Sequence, residues 1–128
     1  MQDKLKKLIE FHTTYECVWN DEITPVVDEK LVRLRHRLMQ EENKEYLEAA
    51  LSGDKIEIAD ALGDELYILL GTIITHGLQH KIEEVFDEIH RSNMSKLDEN
   101  GKPIFREDRK VLKGKNYFKP NIKEIIES

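Results

Sequence analysis

Polar and apolar residues alternate along most of this chain with the spacing of helices. Leu5, Leu8, Ile9, His12 and Trp19 recur at that spacing and predict a first helix from about Asp3 to Asn20. Thr24 before Pro25 marks the start of a second, because proline fits the first helical position and threonine can cap it. That helix runs to about Leu51, where "SGD" stops it. Asp54 caps a third, which carries through "KIEIADALGDELYILLGTIIT" to a stop at Gly77. A fourth extends from about Gln79 to Leu97, closed by "DENG". From Gly101 the period is lost: "GKPIFREDRKVLKGKNYFKPN" predicts loop with a short hairpin, and a last short helix from about Ile122 to Glu127 docks on the bundle. The expectation is an all-α fold, one domain over 1–128, with a four-helix bundle at about 3–97 and an irregular basic tail over 98–128.

The apolar stripes carry an anomaly. At about 100° per residue, Leu31, Leu34, Leu38, Glu42, Glu45 and Ala49 share one face of the second helix, so two glutamates continue the core face. An unpaired buried carboxylate is costly, and such groups are protonated, paired with a cation or bound to metal. Two plainer readings stand beside metal: the helix exposes this face, or Arg35 and Lys44 pair with the acids. On the third helix Ile56, Ala59, Asp60, Gly63, Tyr67, Leu70 and Ile74 share a face, with Glu57 and Asp64 on its flank. Gly63, one turn from Asp60, leaves room for a helix or ligand to approach. The short "SGD" turn makes the two helices antiparallel neighbours, which brings both acid clusters to the same end of the pair. Oxygen-only ligands of this kind favour Mg²⁺, or Mn²⁺, over zinc.

On the fourth helix Ile82, Val85, Phe86 and Ile89 form the apolar face, continued by Asn93 and Lys96. An amide and an ammonium aimed inward suit phosphate oxygens, although taken alone Lys96 reads as a snorkelling surface lysine. Beyond it Lys102, Arg106, Arg109, Lys110, Lys113, Lys115 and Lys119 form a basic run, either an anion patch or a solvated tail.

Charge and cysteine content narrow the field. A net charge of −6 argues against nucleic acid or an anionic membrane as partner. The single cysteine, Cys17, excludes an internal disulfide and a cysteine-based zinc site. "MQDKLKKLIEF" lacks the apolar run of a signal peptide and no window reaches 18 consecutive apolar residues, so a cytoplasmic protein is expected.

Several segments together carry a resemblance. "EENKE" resembles the EExxE motif of the all-α nucleoside triphosphate pyrophosphohydrolases, which include MazG-like proteins, dimeric dUTPases and phosphoribosyl-ATP pyrophosphohydrolase. "ADALGDELYILLG" resembles that family's ExxD helix, with Asp64 matching its aspartate and Ala61 standing where glutamate is usual. Asp60 or Glu57 would then complete the ligand set, and an in-phase ExxD also occurs from Glu57 to Asp60. "EVFDEIHRSNMSKLDENGKPIFREDRKVLKGKNYFKP" is similar to a bacterial and phage MazG-like subgroup with an SNMSK segment and a DGKVLKG-type loop; Arg109 stands where that loop usually has glycine. With "FH" and "RLMQEENKE", the resemblance spans nearly the whole chain.

The resemblance implies a MazG-like fold and hydrolysis of a nucleoside triphosphate between its α and β phosphates, on a (deoxy)pyrimidine or non-canonical nucleotide. It implies Glu42, Glu45 and Asp64 as metal ligands, with Asp60 and Glu57 competing for a further place, and Glu41 as the group that orients or deprotonates water. Asn93 and Lys96 would hold phosphate oxygens, while Lys110, Lys113 and Tyr117 close over the nucleotide. The base would stack on Phe11 or Trp19 with His12 as a polar contact, positions that core packing explains equally. A homodimer or dimer of dimers is expected, as in the resembling families. Two other readings compete. A di-iron carboxylate bundle needs Glu-x-x-His pairs, and none occurs. A non-catalytic helical interaction module predicts no Mg²⁺ binding.

Overall fold

The computed structural model describes residues 1–128 and contains five helices and no strand: α1 (Gln2–Thr14), α2 (Glu29–Ser52), α3 (Lys55–Thr75), α4 (Ile82–Met94) and α5 (Ile122–Glu127). The fold is all-α. No helix is long and apolar enough to cross a membrane. The chain divides into two compact units, Met1–His80 and Lys81–Ser128.

In the first unit α2 and α3 form an antiparallel hairpin, and α1 packs on α3. The turn has two local causes. Gly53 ends α2 in the left-handed region (φ 71°), donating its N–H to the carbonyls of Ala49 and Ala50. Asp54 then caps α3 by accepting from the N–H groups of Ile56 and Glu57. Leu5 and Leu8 of α1, Ala49 of α2, and Ala61, Leu70 and Ile74 of α3 make the core.

The start of α2 differs from the sequence expectation. Thr24 does not cap it; its hydroxyl donates to the Glu22 carbonyl, its N–H donates to the His76 carbonyl, and its own carbonyl accepts from His76 Nδ1. The cap is Asp28, which accepts from Lys30 N–H. Residues 18–24 are instead tied across the end of α3, where Asn20 N–H bonds the Ile74 carbonyl and Asn20 Nδ2 the Thr75 carbonyl. This strap also shortens α1, which ends at Thr14 rather than Asn20 as the chain reverses through Glu16 (φ 57°). Gly77 is the one residue the crossing admits: a Cβ there would lie 1.8 Å from the Glu22 carbonyl oxygen. Gln79, expected to open the fourth helix, is buried in the first unit and donates to the Asn20 carbonyl.

The second unit is α4, the tail and α5, which packs on α4. Glu88 secures the tail, accepting from Arg91 and from the N–H of Asn121. The expected hairpin is reduced to one antiparallel bridge, Phe105 to Val111. Arg109 occupies the left-handed region at its turn (φ 70°), the conformation for which glycine is the usual residue. Met94 ends α4 three residues earlier than expected because Ser95 turns back onto Ser92, and the Lys96 carbonyl is taken by Gly114 N–H.

Candidate metal centre

The α2–α3 hairpin brings together three carboxylates. One oxygen from each of Glu42, Glu45 and Asp64 lies within 4.8 Å of the others. Glu42 projects from the inner face of α2 and is half-buried; Glu45, one turn on, and Asp64 on α3 are exposed. None of the three makes an ion pair with the chain. Neither cation that might have neutralised them pairs with the cluster. Arg35 bonds the Thr72 hydroxyl and Ile68 carbonyl, and Lys44 lines a groove on the outer side of α2.

Glu42 bears the strain of this arrangement. Its Oε2 is shielded from solvent and has no hydrogen-bond partner. Loss of hydration raises its carboxyl above the ordinary carboxylate value, helped by the adjoining Glu45 carboxyl and by the charges of Asp64 and Glu41. A shielded acceptor with nothing to accept from, beside two further carboxylates, is a donor set suited to a hard divalent cation such as Mg²⁺ or Mn²⁺. The residues present therefore fit a metal of that class.

A cleft of about 270 Å³ adjoins the cluster, lined by Glu45, Glu48, Ala49, Ser52, Glu57, Asp60 and Ala61. Glu57 and Asp60 thus share a cleft with Glu45, although neither joins the three-carboxylate cluster. Ala61, one turn before Asp64, is only 4% exposed and offers no ligand atom at its own position. Glu41 opens onto the outer groove of α2 with Arg37, Gln40 and Lys44, and reaches the cluster only through its charge. Around Gly63 the space is open, with nothing within 4 Å of the place a Cβ would take.

The aromatic residues separate into two kinds. Phe11 is partly exposed and meets Tyr15 at 4.6 Å and Tyr67 at 5.6 Å between ring centroids, the latter edge to face. The sequence pattern marks neither Tyr15 nor Tyr67 as a partner of Phe11. The signal for Tyr67 was its place three residues after Asp64. His12, by contrast, is 3% exposed. Its Nδ1 donates to the Val18 carbonyl, and burial together with nearby Arg35 holds it below its ordinary pKa, so it is a neutral core residue. Trp19 is half-buried and donates to the Thr13 hydroxyl.

In the second unit, Asn93 and Lys96 line a cleft of about 370 Å³ with Met94, Leu97 and Val111. Lys113 is stacked over the Tyr117 ring at 4.8 Å, and Lys110 is exposed beside the Arg109 turn.

Among protein families, the one described as phosphoribosyl-ATP pyrophosphohydrolase matches residues 8–93, a span that holds Glu42, Glu45 and Asp64. Comparison with curated proteins finds no match.

Proposed function

The chain belongs to the phosphoribosyl-ATP pyrophosphohydrolase family, within the MazG-like all-α pyrophosphohydrolase superfamily, and on that premise we propose that it hydrolyses a nucleoside triphosphate between the α and β phosphates. The family's activity is pyrophosphohydrolysis, a hydrolase reaction on an acid anhydride. The products here are a nucleoside monophosphate and pyrophosphate, and the cation is Mg²⁺ or Mn²⁺ held by Glu42, Glu45 and Asp64. The observation that carries this reading is the orphaned Glu42 Oε2 within the three-carboxylate cluster.

When bound, such a cation screens the acids from the triphosphate and acidifies water. The chain's own residues supply the rest. Water attacks the α phosphorus, the bond from that phosphorus to the α–β bridging oxygen breaks, and pyrophosphate leaves. A carboxylate takes the water's proton. We assign that role to Asp60 or Glu57, which line the cleft beside Glu45, in preference to Glu41 on the outer groove. Phe11, Tyr15 and Tyr67 form a partly exposed ring cluster suited to stacking a base. Within the second unit, the proposed role of Asn93 and Lys96, which share a cleft, is to bind phosphate oxygens, and that of Lys110, Lys113 and Tyr117 is to contact a nucleotide. A (deoxy)pyrimidine, a non-canonical nucleotide and phosphoribosyl-ATP are the substrates to compare.

A second copy of the chain completes the assembly in this reading. Leu62, Leu66 and Leu69 recur along α3 at helical spacing and stay 44–48% exposed, an apolar stripe that the chain does not cover.

The deciding experiment incubates the protein with nucleoside and deoxynucleoside triphosphates and phosphoribosyl-ATP plus Mg²⁺, measuring pyrophosphate and orthophosphate separately. Pyrophosphate release abolished by Glu45→Gln supports the proposal. Orthophosphate alone moves the cut away from the α phosphorus. No turnover and no stabilisation by Mg²⁺ favours the interaction module.

A further inference from the structure

Arg35 is 8% exposed in the first unit and has no carboxylate partner. Burial pulls its guanidinium below its ordinary pKa, yet the group stays charged in proteins. A buried cation without a counter-ion is costly, and what it holds instead is α3: Nε donates to the Thr72 hydroxyl at 3.0 Å and Nη2 to the Ile68 carbonyl at 2.8 Å. Thr72 closes the triangle by donating its hydroxyl to the same carbonyl at 2.9 Å. Gly71 makes this possible, because a Cβ there would stand 2.6 Å from Arg35 Nη2.

The positions of these contacts matter. Glu42 lies seven residues beyond Arg35 on α2, and Asp64 lies eight residues before Thr72 on α3. In antiparallel helices rising about 1.5 Å per residue, both intervals span about 11–12 Å, so the two pairings belong to one register. A slip of one turn, about 5.4 Å, would break both together. Between these pairings the helices present apolar side chains, half-buried Leu38 on α2 and buried Leu70 on α3, and apolar packing does not define an axial position as a forked hydrogen bond does.

We propose that Arg35 is a positioning residue of the metal centre: its fork onto Ile68 and Thr72 sets the axial register that brings Asp64 against Glu42 and Glu45. This rests on the metal reading above. It assigns a role to a buried charge that touches neither metal nor substrate.

The test titrates Mn²⁺ into the full chain, following the free-ion signal by electron paramagnetic resonance, well below the melting temperature of each protein. The variants are Thr72→Val, Arg35→Met, Arg35→Lys and Glu45→Gln, with helix content checked by circular dichroism. Thr72→Val and Arg35→Met are expected to keep their helices yet bind Mn²⁺ about tenfold or more weakly, the scale seen when groups that orient metal ligands are lost. Arg35→Lys recovers part of the affinity, since an ammonium can reach one acceptor of the fork. Folded variants with wild-type affinity overturn the proposal, since a purely structural role lowers the melting temperature alone. If Arg35→Met fails to fold, Thr72→Val decides. Wild-type protein that binds no Mn²⁺, or binds it unchanged in Glu45→Gln, overturns the metal reading instead and the positioning role with it.

Discussion

One carboxylate oxygen of Glu42 and one of Asp64 lie within 4.8 Å of each other across the α2–α3 hairpin, with no side-chain cation paired to either. Two like charges facing each other from packed helices oppose the packing that brings them together. A fold that keeps this arrangement gives up stability for a site, which is the usual character of functional positions.

The first prediction follows from the sign of that opposition. The Glu42 carboxyl is raised above its ordinary 4.5, so the folded chain holds a proton there that the unfolded chain releases earlier. Its contribution to stability is therefore present below the ordinary value and is lost as pH rises through the raised one. In chelator, the melting temperature of the wild type should fall relative to Glu42→Gln as pH rises from 4 to 8. Millimolar Mg²⁺ should restore the wild type and leave the variant unchanged. A difference between the two proteins that is flat with pH contradicts the account.

Ala61 yields the second prediction. It is buried on α3 one turn before Asp64, lining the cleft with Glu45, Glu57 and Asp60. Ala61→Glu adds a carboxylate there, which should destabilise the metal-free protein and tighten Mn²⁺ binding, both measurable by thermal melts and calorimetry. Asp60→Asn is the counterpart. If Asp60 already serves as a ligand, its variant weakens Mn²⁺ binding and Ala61→Glu adds little. If Asp60 serves as the base, its variant binds Mn²⁺ normally and loses turnover by about 10²-fold or more.

What could be read in the sequence had a regular period behind it. The hairpin was legible from "SGD" and Asp54, and the cluster from the in-phase placement of Glu42 and Glu45 on an otherwise apolar stripe. The phase of α3 was not. That helix is apolar almost all round in "LYILLGTII", so several faces fit the pattern equally, and Ile56, expected inward, is 71% exposed. On α2 the core position belongs to Arg35, while Leu34 beside it is exposed. No pattern of polarity predicts a buried arginine, because its acceptors are a hydroxyl and a carbonyl more than thirty residues away. The strap over α3 that displaces the start of α2 has no sequence signature for the same reason.

Arg109 provides a third prediction. It sits at φ 70° in the turn between Phe105 and Val111, where a residue with a Cβ costs about 1–2 kcal/mol. Its guanidinium lies 4.1 Å from the Phe105 ring centroid, an exposed contact that recovers about 0.5–1 kcal/mol. The contact recovers about half of that cost. Arg109→Gly should thus leave stability unchanged or raise it by up to about 1 kcal/mol, whereas Arg109→Val, which loses the contact and crowds the backbone further, should destabilise the tail by about 1–2 kcal/mol. Hydrogen exchange of the Arg106 and Leu112 amides, which donate to the Lys110 and Ile104 carbonyls, reads this locally.

The apolar stripe on α3 provides the last. Leu62, Leu66 and Leu69 lie on the same helix as Asp64, so a second copy seated on the stripe would pack against the element that carries one carboxylate of the proposed metal site. The leucines are already about half-buried, so covering the rest of each is worth about 0.7–1.5 kcal/mol, and one charge desolvated among them should dissociate a pair. Leu66→Glu is expected to convert a species of about twice 15.1 kDa into one of 15.1 kDa in sedimentation velocity. Its helix content should be retained, because Leu66 is not part of the chain's own core. If the assembly also organises the site, the monomer binds Mn²⁺ and loses turnover; a variant that remains dimeric shows that the copies meet through another face.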